Sequence, residues 1–275
     1  MFILAALSLL VLGVITATLH KRLRRRFLIR RPFPDEWERF LEKDFPRHRD
    51  LPESLQDSFR STLQVLIEEK NFEACGGLAE VTDQAKVLIC AQASLLLIGL
   101  PKHNYFGKLK SILLYPTAFR DRGHRRFGIP EEDDGGTRLG ESWETGSVIL
   151  SWESVVAGAR NDDDGMNVVI HEFAHQLDQI DGSADGVPLL QERAAYQRWA
   201  KVFLHDYEEL VEEVERGKGH RSVLDPYGAT NPAEFFAVAS ESFFEEPHLL
   251  QREHPDLYEQ LKGYYGLDPV KWTSS

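Results

Sequence analysis

The apolar and polar positions divide the chain into a strongly apolar start and a mixed body. Residues 2–19 contain no charged side chain and are about long enough to span the hydrocarbon core of a bilayer. Seven Lys or Arg follow between His20 and Arg31, whereas a cleaved signal peptide carries its basic residues before the apolar stretch. Basic residues after a membrane helix favour keeping that side in the cytoplasm. The pattern therefore predicts a single-pass protein of the cell inner membrane, with its body facing the cytoplasm. An outward-facing anchor and a wrongly assigned start are the alternatives.

This interpretation divides the chain into three segments. They are a transmembrane anchor over residues 1–20, a basic juxtamembrane tether over residues 21–34, and one domain over residues 35–275. About 240 residues can bury a substantial single core. No internal repeat or long low-complexity linker divides them, so we expect a single folded body after the tether.

Apolar residues recur within the domain in long stretches of helical character and in short β-rich runs. The predicted helices and strands are Glu53–Lys70, Ala85–Leu100 and Tyr196–Glu215, and Ser111–Tyr115 and Gly146–Trp152. Ala85–Leu100 is nearly all apolar, but it contains Lys86 and Gln92 and ends at Pro101, which favours a buried helix over a second membrane span. Because helices outnumber strands, we expect a predominantly helical α+β fold with a small sheet.

The run Val-Val-Ile-His-Glu-Phe-Ala-His-Gln-Leu-Asp, residues 168–178, carries the motif H-E-x-x-H. Residues four apart lie on one face of a helix, so His171 and His175 can bind one zinc ion with Glu172 beside them as a general base. Three consecutive Asp, residues 162–164, precede the run, where carboxylates favour a helix start. Two buried histidines satisfied by ordinary hydrogen bonds are the alternative.

A catalytic zinc usually has three protein ligands, so a third is needed. Asp181 would serve if the chain turned sharply after the helix, but Asp178 occupies the position where that arrangement needs Gly. Glu234 is the stronger candidate. Asn231 and Pro232 predict a helix start that places it in the first turn. The alternative is that Glu234 only stabilises the start of its own helix.

A second carboxylate could orient a metal-bound histidine through the other ring nitrogen. Glu241 lies seven residues after Glu234, which is close to two helical turns and therefore on the same face. Asp178, one turn after His175, is a further candidate for this role. The sequence does not choose between Glu241 and Asp178.

These motifs together resemble a known family. His-Glu-Phe-Ala-His-Gln-Leu-Asp, then Asp-Pro-Tyr-Gly-Ala-Thr-Asn-Pro-Ala-Glu-Phe-Phe-Ala-Val-Ala-Ser-Glu, with Ser-Ile-Leu-Leu-Tyr-Pro and Ser-Val-Ile-Leu-Ser-Trp upstream, resemble the Mlc titration factor A family of zinc-dependent peptidases over roughly residues 35–270. The resemblance implies zinc ligands His171, His175 and Glu234, the catalytic base Glu172, and Tyr227 beside the site. It also implies a zincin-like fold with a gluzincin-like site.

Aminopeptidase activity is what the resemblance implies, by a zinc-activated water with Glu172 as general base. The phenol of Tyr227 is the candidate donor to the developing oxyanion, although the ring could instead only pack, and His220 is a weaker candidate. The strand at residues 146–152 could pair with an extended peptide or protein substrate. Residues 120–146 are charged and Gly-rich, as in a substrate lid or a disordered surface loop.

Net charge and cysteine content limit which kinds of partner the protein can bind. A net charge of −12 argues against nucleic-acid binding, while the basic tether suits anionic lipid head groups. Cys75 and Cys90 lack zinc-ligand spacing and are interpreted as reduced thiols. Two alternative classes stay open: a zinc-binding regulatory protein that sequesters a partner such as a transcriptional repressor, and a zinc amidase. The family's founding member binds such a repressor, but no residue here can be tied to that partnership.

Overall fold

The computed structural model describes residues 2–101, 103–117, 146–161, 163–217 and 222–272. The described residues form a predominantly helical body with a small sheet, as the sequence predicted. The ten helices of this part of the chain are α1 (Phe2–Ile29), α2 (Asp35–Asp44), α3 (Glu53–Glu69), α4 (Asp83–Leu95), α5 (Trp152–Arg160), α6 (Val168–Asp178), α7 (Arg193–Glu215), α8 (Pro232–Glu245), α9 (Pro247–Glu253) and α10 (Pro255–Tyr265). Short 3-10 helices cover Pro46–Arg49, Pro226–Thr230 and Pro269–Lys271.

The sheet consists of β1 (Asn71–Ala74), β2 (Ser111–Tyr115) and β3 (Ser147–Ser151), in that order. Both pairs are parallel, with Ser111 opposite Asn71 on one side and Ser147 on the other. The predicted strand at Ser111–Tyr115 is confirmed, and the run at 146–152 contains β3. The predicted lid at residues 120–146 lies almost entirely outside the described residues.

The core is built around α4, α6 and α8, whose described side chains are almost all buried. Aromatic side chains of α8 pack against rings from the C-terminal helices: Phe236 against Trp199 of α7, and Phe243 against Tyr258 and Tyr265 of α10. Because α6 and α8 are enclosed by apolar side chains, their polar groups must satisfy one another. Cys75 and Cys90 are both free thiols, as expected.

The predicted transmembrane anchor is wrong, and so are the inner-membrane placement and the membrane contact that rested on it. No helix in the described part of the chain combines the length and the apolar character needed to cross a bilayer. The helix α1 runs without interruption from Phe2 to Ile29, across the residues of both the predicted anchor and the predicted tether.

Some of the basic side chains of α1 contact acidic side chains of α3. Arg25 forms two hydrogen bonds with the Glu69 carboxylate at the end of α3, of 2.6 and 2.7 Å. The Arg25 guanidinium also lies 4.4 Å from the centre of the Tyr105 ring. Arg24 pairs with Glu68 at 3.4 Å. Part of the basic charge after the apolar start therefore docks α1 against α3.

Glu245, at the C-terminal end of α8, is a buried acid paired with a buried base. Its Oε1 lies 3.4 Å from the Arg47 guanidinium and accepts a hydrogen bond from the Asn167 side chain. Burial raises the pKa of the Glu245 carboxyl to about 8, with smaller contributions from Glu241 and Asp164, although Arg47 and Asn167 oppose the shift. The folded protein therefore holds this proton more tightly than the unfolded chain.

This shift predicts a pH-dependent component of stability. A folded pKa of about 8 against an ordinary 4.5 means that the stabilisation is complete below about pH 4.5 and is lost as pH rises through about 8. The loss corresponds to about 1.4 kcal/mol per pKa unit. We expect Glu245→Gln to flatten the slope of unfolding free energy against pH over this range, measured by urea unfolding. The exposed Glu215→Gln should keep the wild-type slope, and equal slopes for all three proteins would contradict the assignment.

Candidate metal centre

Asn167 caps the start of the motif helix α6: its side chain accepts hydrogen bonds from the backbone N–H groups of Val169 and Ile170, at 3.1 and 3.0 Å. The side chain that caps the helix is thus Asn167, which the sequence analysis did not single out. Asp164 accepts from the Met166 N–H within its own turn, and Asp162 lies outside the described residues. Asn directly before an apolar helical run is a recognised helix-capping signal, and it would have identified this residue.

The second helix of the site starts as predicted. The Asn231 side chain accepts a hydrogen bond from the Glu234 N–H at 3.0 Å, and Pro232 occupies the first helical position. Glu234 therefore lies in the first turn of α8, where its side chain is almost fully buried. Packing of α8 against α6 turns this carboxylate towards the motif histidines.

Three potential ligand atoms converge where the two helices meet. The Glu234 Oε2 lies 2.9 Å from the His171 Nε2 and 3.3 Å from the His175 Nε2, and the two nitrogens are 3.3 Å apart. Their ligand atoms all lie within 4.8 Å of one another, which makes this trio a candidate metal site. Asp181 is not in this group: its carboxylate accepts from the Ser183 N–H in an exposed turn.

Glu241, the residue two turns after Glu234, contacts the other side of the same imidazole. Its Oε1 lies 2.6 Å from the His171 Nδ1, and its Oε2 accepts from the Asn167 N–H at 2.6 Å. This contact fixes the ring so that Nε2 faces Glu234. Asp178, the other candidate for this role, accepts instead from the Gly186 N–H at 3.0 Å.

Burial and mutual contact shift the pKa values of these groups. Burial alone would lower the pKa of His171, but the charge of Glu241 and hydrogen bonds to Glu234 and Glu241 hold it well above its usual value. Burial lowers the pKa of His175. The pKa of Glu234 would be raised by burial, yet hydrogen bonds to both histidines bring it well below its ordinary range. Glu234 is therefore a carboxylate anion in contact with two imidazoles.

Glu172 is 7% exposed and lies on α6 between the two histidines. Burial raises the pKa of its carboxyl to about 7, with the nearby charges of Glu234 and Glu241 adding to the shift and His171 opposing it. Glu234 and Glu241 thus contact the imidazoles, whereas Glu172 is a third buried carboxyl with a raised pKa.

Tyr227 lies in the 3-10 helix Pro226–Thr230, which packs against α8. The Asp225 carboxylate accepts from the Tyr227 N–H at 2.8 Å and holds the start of this turn. The Tyr227 ring centre is 6.0 Å from that of His171. The tyrosine is therefore beside the candidate metal site, whereas His220 lies outside the described residues.

Comparison with known proteins assigns the chain to a family. Residues 19–266 match the family described as glucose-regulated metallo-peptidase M90. The chain belongs to this family. It is accordingly a metallopeptidase-like protein, with a metal ion and a peptide or protein substrate as the corresponding partners. The resemblance to the Mlc titration factor A family is confirmed.

Relatives that are similar over most of their length come from several bacteria. The Mlc titration factor A of Serratia proteamaculans (strain 568) is 32% identical over 209 residues, which cover 74% of this chain and 77% of that protein. The Mlc titration factor A of Yersinia pestis (strain Pestoides F) is 28% identical over 248 residues, 87% of this chain and 88% of that protein. An uncharacterized protein of Synechocystis sp. is 39% identical over 251 residues, 90% and 89% of the two chains.

Asn167 joins the start of α6 to the carboxylates of α8, so its removal should affect both stability and metal binding. We expect Asn167→Ala to lower the free energy of unfolding by about 1 kcal/mol, as for other helix caps. Alanine keeps the backbone N–H that donates to Glu241, but it removes the side-chain hydrogen bonds that hold this backbone in place. The N–H should therefore hold Glu241 less firmly, and metal affinity should fall by about tenfold, measured by competition with a chelator. Thr82→Ala is the matched control, because Thr82 caps α4 through the Ala85 N–H. It should lose similar stability at unchanged metal affinity, and unchanged affinity in both variants would contradict the role of Asn167.

Proposed function

We propose that this M90-family protein is a zinc-dependent metallopeptidase that hydrolyses peptide bonds, acting as an aminopeptidase. The convergence of His171, His175 and Glu234 at the contact between α6 and α8 carries the proposal. Family membership supports the peptidase class. We further propose that the metal ion is zinc and that the enzyme removes residues from the N-terminus of its substrate.

The spacing of the three ligand atoms supports zinc. Tetrahedral ligands held about 2.0–2.1 Å from a zinc ion lie about 3.3 Å from one another. The corresponding separations here are 2.9, 3.3 and 3.3 Å. Two imidazole nitrogens and one carboxylate oxygen also form a common catalytic donor set for zinc, which leaves one position for water or substrate. His171, His175 and Glu234 would hold the ion with little rearrangement.

When bound, zinc supplies a Lewis acid that polarises the scissile carbonyl and acidifies a water molecule. We assign to Glu172 the transfer of the proton: it accepts the proton of the attacking water and returns it to the leaving amine. Its position in the motif, between the two histidines on the same helix, supports this role. Glu241 and Asn167 have positioning roles, because they act through His171.

Tyr227 is assigned the stabilisation of the oxyanion that forms at the attacked carbonyl. A phenol O–H is a strong donor to a developing negative charge. Support comes from the position of its ring beside His171, 6.0 Å between centres. The Asp225 carboxylate holds the turn that carries it.

The sheet supplies a surface on which an extended peptide could lie. Among the described residues β3 pairs only with β2, so its other edge has no strand partner there. β3 also packs against the motif helix α6. A peptide added to this edge would run beside the metal centre, with its backbone held by strand addition.

A regulatory function is the alternative. The relatives named Mlc titration factor A are, by that name, proteins that titrate Mlc. A protein of this kind could use the metal site to shape a binding surface for a transcriptional repressor, with little peptide turnover. A buried Glu172 beside the proposed ligands favours the peptidase, because a purely structural site needs no base.

Replacing Glu172 should separate metal binding from catalysis. We expect Glu172→Gln to lower kcat by about 10²–10⁴-fold, the usual contribution of general acid–base catalysis, while zinc content stays at the wild-type level. Cleavage of amino-acid anilides, their N-acetylated forms and internally quenched peptides would be compared at matched zinc loading. Preference for the free amine identifies an aminopeptidase.

The surface variant Glu215→Gln serves as the control and should retain wild-type rates. If wild type binds zinc but turns over no substrate faster than Glu172→Gln, the peptidase proposal fails and the regulatory alternative is favoured.

Tyr227→Phe tests the oxyanion role, because it removes only the hydroxyl. We expect kcat to fall by about 10²–10³-fold with little change in KM or zinc affinity. Tyr207→Phe is the matched control: Tyr207 donates a weak hydrogen bond, at 3.4 Å, to the Ala229 carbonyl near the same turn. Equal rates in wild type and Tyr227→Phe would remove Tyr227 from the mechanism.

A further inference from the structure

A cavity of about 1260 Å³ lies on the other side of the motif helix from the candidate metal centre. Its walls come from the loop before β2, the C-terminal end of α6, the start of α7, and α10. Leu177 lines the cavity, and it follows His175 by two residues and His171 by six. At 3.6 residues per turn, these separations place Leu177 on nearly the opposite face of α6 from both imidazoles. The cavity is therefore separate from the metal site but shares a helix with it.

Apolar and aromatic side chains form most of the cavity wall. Trp199 and Tyr264 contribute rings from α7 and α10, and Phe106 lies edge-on to Phe173 of α6 at 4.8 Å. Ile180 and Leu189, both lining the cavity, are among the few large apolar side chains of the body that stay exposed, at 41% and 55%. Large apolar side chains left open to water around a concave site mark a binding surface.

Two buried polar atoms in this wall have no hydrogen-bond partner among the described residues. Gln176 lines the cavity and is 7% exposed, yet its side-chain Nε2 has no hydrogen-bond partner among the described residues. The Nδ1 of His103, also in the wall, is buried without a partner in the same part of the chain. An unsatisfied buried donor costs about 1–3 kcal/mol, so a group that accepts from Gln176 would remove a penalty that the protein otherwise carries.

The loop that carries this wall is held rigidly in a strained conformation. Tyr105 and Phe106 both have positive φ, 51° and 49°, and they are the only non-glycine residues of the described chain that do. The buried Lys70 ammonium donates to the Phe106 and Leu109 carbonyls at 2.6 and 3.0 Å. Arg25 lies over the Tyr105 ring. Strain of this kind persists only where the surroundings impose it, so the cavity wall is preformed.

We infer that this cavity binds a small molecule with an apolar body and a hydrogen-bond-accepting oxygen, with the oxygen bound by Gln176 and the apolar body against the aromatic wall. The volume slightly exceeds the range of about 300–1,000 Å³ that is usual for small-molecule sites. The lining contains two basic side chains, Lys108 and Arg198, and two acidic ones, Glu192 and Glu259. This balance of charge favours a neutral acceptor such as a carbonyl over an ion.

The inference can be tested by titrating the full-length protein with octanamide, which has a carbonyl acceptor, and with octylammonium, which has none. Methyl NMR signals of Leu177 and Ile180 report on the cavity wall. We expect saturable shifts of these signals with octanamide, equal in zinc-free and zinc-loaded protein, and at least tenfold weaker binding of octylammonium. Binding to the zinc-free protein does not require an occupied metal centre. This measurement therefore tests the cavity whether or not the protein is a peptidase.

Two substitutions localise the binding. Gly263 of α10 lines the cavity, and a Cβ built there meets no atom within 4 Å, so Gly263→Phe should fill the space without a backbone clash. Gly263→Phe should abolish the octanamide shifts, whereas Gly263→Ala, the matched control, should retain them.

Gln176→Leu should weaken the binding of octanamide by about tenfold. The variant should stay folded, because the substitution removes an unsatisfied buried donor. The inference is overturned by an absence of saturable shifts, by wild-type binding in Gly263→Phe, or by equal affinity for the two probes.

Discussion

Mutual satisfaction of buried ionisable groups at the contact between α6 and α8 is the constraint on which the rest of the structure depends. His171, Glu172, His175, Glu234 and Glu241 are all almost fully buried. An isolated charge in such surroundings is costly unless it is paired. Here the carboxylates of α8 contact the imidazoles of α6 at 2.6–3.3 Å. The two helices cannot shift relative to each other without separating these groups, so the packing and the candidate metal site depend on the same contacts.

Asn167 extends this constraint beyond the two helices. It caps α6 with its side-chain oxygen, donates to Glu245 with its side-chain nitrogen, and donates to Glu241 with its backbone N–H. Glu245 in turn lies against Arg47 of a 3-10 helix near the start of the domain. A continuous set of polar contacts therefore connects residues 47, 167, 241 and 171. Networks of this kind hold a functional side chain in one orientation before any ligand arrives.

Helix α6 has two faces with different surroundings. One presents the imidazoles to α8, and the other borders the cavity through Gln176 and Leu177. The same short helix therefore contributes to two separate sites, with different side chains at each. The basic half of α1 contributes to the same region from outside, since Arg25 contacts the loop that forms the cavity wall. Some of the positive charges after the apolar start of the chain, those of Arg24 and Arg25 among them, thus have protein partners.

Much of the local structure could be predicted from the sequence, because it depends on residues close together in the chain. The helical spacing of His171 and His175, the Asn231–Pro232 helix start and the strand at Ser111–Tyr115 all follow from local periodicity and capping. Composition and periodicity also indicated the predominance of helix. The same local rules failed at the start of the chain. Hydropathy cannot predict that a single helix, α1, covers both predicted segments, or that arginines of α1 pair with acidic residues of α3.

Contacts between distant residues were decided only by the tertiary structure. Glu234 is 63 positions from His171, and its selection over Asp181 as the carboxylate beside the imidazoles required the packing of α8 on α6. The same packing brings Glu241, and not Asp178, into contact with His171. It also places Asn167 in contact with both Glu241 and Glu245. The sequence also does not predict that the strands pair in parallel, or that a cavity lies beside α6 on the side away from the imidazoles. Residue spacing determines which side chains share a face, but the tertiary fold determines what that face meets.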